Sequence, residues 1–292
     1  MGSRDGGIGP GFHEAPLVLF TALAVAGAGL AGSRIVLAAA GQGAWSSSPR
    51  EAGVVAALLA LGILVSALHL GKPSRAVLAL RRVGRSALSA EVLALGAALA
   101  AAALAALLPA SSAAGGLAGT LLPWLSLLVL LTLGTVYRLP GQVGWGGTAF
   151  LRPAALGLVF GMVVWGAAGG WSMGGPVLMV LLLVWAADAV LLALHGRRLE
   201  GNRGRAEPSH AAAFRRRRLL LAARFSLLNL PALLALLRAW TLLPVLMLMA
   251  AGVLLDRALF YALATRLTTE GEVGRVEATL QRLDIAPQSP ND

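Results

Sequence analysis

The sequence contains no cysteine. Disulfides, thiol catalysis and any cysteine-ligated iron–sulfur cluster are thereby excluded within this chain. Charge is also scarce: Asp, Glu, Lys and Arg make up 13% of 292 residues, against about 25% in a soluble domain. A chain with half the usual charge cannot coat itself in water, so lipid must be its solvent. Tyrosines number only 2 and histidines only 4, which narrows the choice of metal or haem ligands. What fills the sequence instead is apolar and small. Hydrophobic residues reach 58%, glycines number 36, and the mean hydropathy is +0.78. Small residues let membrane helices approach closely.

The net charge is +11. No base-stacking or groove-reading module accompanies it, so no nucleic-acid partner is expected. Basic loops that orient a membrane protein and meet anionic lipid headgroups account for it better. The opening MGSRDGGIGPGF lacks the apolar core and small-residue cleavage pattern of a signal peptide. Gly6 stands where a myristoylation pattern needs Ser or Thr.

A membrane-crossing helix needs about 20 apolar residues. Eight candidates are present, at 15–40, 51–71, 86–109, 115–137, 153–170, 174–196, 217–238 and 241–265. The expected fold is therefore an all-α integral membrane protein, a bundle of eight transmembrane helices with both termini on the same side. Residues 1–265 form the anchor domain and 266–292 a polar tail. Pro231 and Pro244 are candidate kinks in the last two helices. The side holding the termini also holds Lys72, Arg75, Arg81, Arg82 and Arg85 after helix two. Arg197, Arg198, Arg203, Arg205 and Arg215 to Arg218 lie there too, whereas the other side has Arg50, Arg238 and little else. The positive-inside rule makes the basic side cytoplasmic. A multi-pass protein of a prokaryotic inner (cytoplasmic) membrane is expected.

Ionisable groups in or beside apolar spans are costly and are functional candidates by default. His69 ends helix two, and Glu91 lies about one and a half turns into helix three. Arg257 and Tyr261 lie near the end of helix eight, His13 and Glu14 precede helix one, and Tyr137 and Arg138 end helix four. Asp188 lies deeper in helix six. Asp256 adjoins Arg257 but is expected to point elsewhere on the helix. Each alone has an ordinary explanation, since a terminal His is commonly interfacial and a terminal Arg commonly snorkels. Together they converge on one depth from five or more helices. A His that titrates near neutrality beside a carboxylate suits proton-coupled electron transfer. A quinol needs such a partner at each oxygen and an apolar slot open to lipid. The same residues would also serve a proton-coupled transporter, although that reading calls for inverted repeats and broken helices near the midplane. Haem needs axial ligands on facing helices. Of His13, His69, His195 and His210, only His69 and His195 lie near spans, both at the rim, so no haem and no metal site are expected.

Several motifs resemble the DmsC family, the membrane anchor subunits of dimethyl sulfoxide reductase-type molybdoenzymes. They begin with GFHEAPLVLFTALAVAGAG and are strongest in HLGKPSRAVLALRRVGRSALSAE. There a His-Leu-Gly-x-Pro-x-Arg-Ala run, a Ser-x-Leu-Ser and an acidic residue follow in family order. VYRLPGQVGW and DRALFYAL add support, and the resemblance spans about residues 11–265.

The resemblance implies an eight-helix anchor, without haem or iron–sulfur cluster of its own, that exchanges electrons with menaquinone or ubiquinone. Its implied partners are a four-cluster iron–sulfur subunit and a molybdopterin catalytic subunit. It assigns quinone binding and proton exchange to His69 and Glu91. Arg257, Tyr261, Tyr137 and His13 are expected to line or support the pocket, and Arg75, Arg81, Arg82 and Arg85 to meet the iron–sulfur subunit. The departures are Asp188, which has no counterpart, and a longer, more basic loop after helix six and C-terminal tail. The cytoplasmic quinone face also resembles that of sulfite-oxidising complexes, which run electrons into quinone. A purely structural anchor remains the other reading.

Overall fold

The computed structural model describes residues 15–43, 45–69, 86–136, 142–143, 151–168, 175–201, 218–236, 242–262 and 265–266. Eight helices lie among them: α1 (Ala15–Ala39), α2 (Pro49–His69), α3 (Ala87–Leu107), α4 (Ala113–Thr135), α5 (Arg152–Ala167), α6 (Gly175–Gly201), α7 (Arg218–Leu236) and α8 (Leu242–Ala262). Their ends fall close to the apolar runs of the sequence. α6 is the exception, continuing five residues past the expected 196 through Arg197 and Glu200. Five helices are long and apolar enough to cross a membrane: α1, α2, α3, α4 and α8. α5 has only 16 residues, and among the described residues the apolar stretches within α6 and α7 are Leu182–Leu191 and Leu221–Leu230.

Local chemistry sets several helix ends. Ser112 caps α4, its hydroxyl accepting from the Gly115 amide at 3.1 Å, which satisfies one of the orphan donors of a first turn. Pro153 stands at the start of α5, where a missing N–H costs nothing. Pro244 falls in the first turn of α8, so it starts that helix instead of kinking it. α7 runs on past Pro231.

α1 is the axis of the bundle. It packs against α2, α4, α5 and α8, and its residues from Phe20 to Ser33 are largely buried. Glycine makes the α1–α5 approach possible. A Cβ on Gly29 would overlap the Gly157 carbonyl, and one on Gly161 would overlap the Gly29 carbonyl. Such close backbone contact is how membrane helices gain packing energy without a hydrophobic driving force. α3 and α4 pack on each other and α2 on α3, while α5 to α8 gather on the other flank of α1.

The two ends of the bundle differ. Where α1 finishes, Arg34 pairs with Glu51 of α2 at 3.0 Å. The Arg34 guanidinium also lies 3.8 Å from the Trp165 ring centroid. Trp45 stacks on Trp124 at 6.3 Å nearby, as interfacial aromatics do. Where α1 begins, Phe260 and Tyr261 of α8 pack on Leu17, Val18 and Val136. A two-stranded antiparallel pair joins β1 (Gln142–Val143) to β2 (Thr265–Arg266), so the segments after α4 and α8 meet there. β2 straddles the expected domain boundary at 265.

Candidate functional site at the end where the first helix begins

Glu91 is the fifth residue of α3 and is buried, at 4% exposure. It makes no hydrogen bond or ion pair with any described residue. Its helix shows why it lies inward. Leu88 and Leu93 are half exposed, whereas Ser89 and Glu91 are buried, so the lipid-facing stripe runs past the acid and leaves it on the packed side. Ser89 is also fully buried, and its hydroxyl has no partner among the described residues. His69 is the last residue of α2. α2 packs on α3, so His69 and Glu91 stand on neighbouring helices at one end of the bundle. The His69 side chain lies outside the described residues, as do His13, Tyr137, Arg75, Arg81, Arg82 and Arg85.

Arg257 and Tyr261 are both buried. They lie one helical turn apart, at spacing i and i+4. The Arg257 guanidinium lies 5.2 Å from the Phe260 ring centroid, and Phe260 meets Tyr261 edge-on at 5.4 Å. Asp256 does not point elsewhere, as its sequence position suggested. Its Oδ2 accepts from both Nε and Nη2 of Arg257. The reason is burial: neither charge reaches water, so each takes the nearest counter-charge, even from the adjoining residue.

Asp256 is also the hub of a larger cluster that the sequence did not reveal. Its Oδ1 accepts from Arg152 Nη2 of α5 at 2.7 Å and from Arg224 Nε of α7 at 2.8 Å. Arg224 Nη2 donates in turn to Asp188 of α6 at 3.0 Å. Asp188 thereby finds its partner, and Trp185 stacks on Phe225 at 5.9 Å beside it. Sequence reasoning missed Arg152 and Arg224. The available signal was an arginine inside each of two apolar runs, in LRPAALG and LAARFSLL, opposite an acid in a third. Only the fold brings them together.

A quinone-class cofactor suits the residues of α3. The buried Glu91 carboxylate can accept from the O–H of a quinol, and the buried Ser89 hydroxyl can donate to a quinone oxygen or accept from a quinol, and the flank is apolar. Among the described residues, no group of three or more His, Asp or Glu could hold a metal ion.

Comparison with known proteins bears on this end of the molecule. The family model described as DMSO reductase anchor subunit (DmsC) matches residues 8–138. A curated relative, the C subunit of the anaerobic dimethyl sulfoxide reductase of Escherichia coli (strain K12), is 31% identical over 284 residues. The match covers 88% of the present sequence and 96% of the relative. The chain belongs to the DmsC family. The family-model match contains His13, His69, Glu91 and Tyr137, together with the basic residues at 75–85. The cluster centred on Asp256 lies outside it.

Proposed function

We propose that this DmsC-family protein is the quinone-reactive membrane anchor of a three-subunit molybdopterin oxidoreductase. It exchanges electrons between the membrane quinone pool and an iron–sulfur subunit that serves a molybdopterin catalytic subunit. The observation that carries the reading is Glu91: a buried carboxylate without a described partner, near the start of the helix that follows the one His69 ends. A bound quinone, menaquinone or ubiquinone, supplies carriage of two electrons and two protons. The protein supplies the proton acceptors. The Glu91 carboxylate and the His69 imidazole take or return a proton at the ring oxygens, each within reach of water at the membrane rim. Tyr261, Arg257, Tyr137 and His13 line or support the pocket. The apolar flank of α3 excludes water and admits the isoprenoid tail from lipid.

The remaining features follow the same account. All eight helices span the inner (cytoplasmic) membrane, and α5 to α7 cross it with buried charges held in ion pairs. Both termini and the quinone face lie in the cytoplasm, because the basic loops gather there. Arg75, Arg81, Arg82 and Arg85 receive the iron–sulfur subunit, placing its nearest cluster within tunnelling reach of the pocket. Electrons flow from quinol to the catalytic subunit; a sulfite-dehydrogenase-type complex would run the same site in reverse. The test is His69→Arg. The complex should assemble with unchanged stoichiometry while quinol-dependent turnover is lost. Near-normal turnover would remove His69 from the mechanism.

A further inference from the structure

The cluster on α5 to α8 contains three guanidiniums, of Arg152, Arg224 and Arg257, but only two carboxylates, of Asp188 and Asp256. One positive charge is therefore in excess among the described residues, at a site whose side chains are all at most 9% exposed. Arg152 Nε and Arg224 Nη1 are buried and donate to nothing among the described residues. A clamp between helices needs no such excess. Two guanidiniums would satisfy two carboxylates, and a third adds desolvation cost without a counter-charge. Retaining an unbalanced charge in a membrane bundle points to a role for its field.

The charged groups around α8 at this end can be named, and Glu91 of α3, the pocket's own acid, lies on the other flank of α1 and is common to every variant compared below. α5 contributes Arg152, α6 contributes Asp188 through Arg224, and α7 contributes Arg224. α1 also packs on α8, but its one charged residue, Arg34, pairs with Glu51 at the other end of the bundle. Nothing described on α1 or α4 cancels the excess. Arg257 is the member of the cluster that also meets the Phe260 ring, 5.2 Å from its centroid. Tyr261 follows one turn later, about 6 Å of helical rise, and the Phe260–Tyr261 pair packs on Leu17, Val18 and Val136. Those residues lead directly to His13 and Tyr137 in the sequence.

We propose that this cluster holds the pocket end of the bundle at a fixed positive potential, so that the site selects anionic ring ligands over neutral ones. The inference rests on the quinone reading above. One unit charge about 10 Å away, acting through an effective dielectric of about 20, shifts an anion–neutral equilibrium on the order of tenfold. Such a shift equals about one pH unit in the ligand's ionisation.

The probe is a 3-alkyl-2-hydroxy-1,4-naphthoquinone, a weak acid whose anion and neutral form differ in colour. Bound to the purified complex, its ionisation is read optically, without turnover. The probe should ionise at lower pH when bound than when free. Arg152→Gln removes one positive charge and should raise the bound midpoint by about one pH unit. Asp188→Asn adds one net positive charge and should lower it by about as much. Arg152→Lys should leave it where it was. Loosened packing alone would move both charge-changing variants the same way, so opposite shifts separate field from scaffold. Shifts of the same sign, or none, overturn the proposal. Should Arg152→Gln fail to accumulate, Asp188→Asn decides: a lower midpoint supports the proposal, and an unchanged or higher one overturns it. The quinone reading is judged separately, by loss of probe binding in His69→Arg. A probe that does not bind the unaltered complex sinks both.

Discussion

The two halves of this molecule handle buried charge in opposite ways. Among the described residues of α5 to α8, every buried acid is paired: Asp188 to Arg224, and Asp256 to Arg152, Arg224 and Arg257. In α1 to α4, Glu51 is paired to Arg34, but Glu91 is buried with no partner among the described residues. An acid tied into a network holds helices together, whereas an acid left alone is available to a ligand. Asp256 ties the helices on one flank of α1 into a single network, while Glu91 on the other flank has no such tie among the described residues.

The comparison can be broken most severely at Asp256. Asp256→Ala leaves three buried guanidiniums with a single carboxylate, an uncompensated charge that costs about 3–5 kcal/mol. Thermal unfolding of the detergent-solubilised complex should show that loss, or the protein should fail to accumulate in the membrane. Unchanged stability would mean that the network is not the scaffold of the second half. Glu91→Gln should do the reverse, leaving stability intact and lowering quinol-dependent turnover about a hundredfold. Kinetics on the assembled complex check this, and wild-type rates would return Glu91 to a packing role. Gly29→Val attacks the α1–α5 contact that joins the halves. Its side chain meets the Gly157 backbone, and overpacking of this kind costs about 1–3 kcal/mol, again read by unfolding. The smallest effect belongs to Glu51→Gln. The new amide oxygen would still accept from Arg34, the Arg34 side chain is partly solvated at 17% exposure, and its stacking on Trp165 persists. About 1 kcal/mol or less is expected from the same unfolding measurement.

Much of this was legible in the sequence, and the limits have physical causes. Apolar run length located the eight described helices, and five of them, α1 to α4 and α8, have the length and apolarity that a bilayer crossing needs. It did not warn that α5 is short, because Ala168, Gly169 and Gly170 continue the apolar run past Ala167, where the helix ends. Glu91 was legible because a lone acid in an apolar run has no ordinary explanation. Arg152 and Arg224 were not, because an arginine near a helix end normally snorkels to water. That each is instead buried against Asp256 depends on four helices converging. Asp256 and Arg257 were expected to diverge by the angular spacing of adjacent residues on a helix. Two charged side chains in low dielectric closed that angle.

A quinone lying between His69 and Glu91 is the centre of the proposed mechanism. The most direct measurement is a structure of the protein purified with the subunits that accompany it, read at that position. A quinone ring with its oxygens against His69 and Glu91, and a cluster-bearing subunit on the loop at 72–85, is the expected result. A sealed, apolar contact between α2 and α3, with quinone bound elsewhere or not at all, would contradict it.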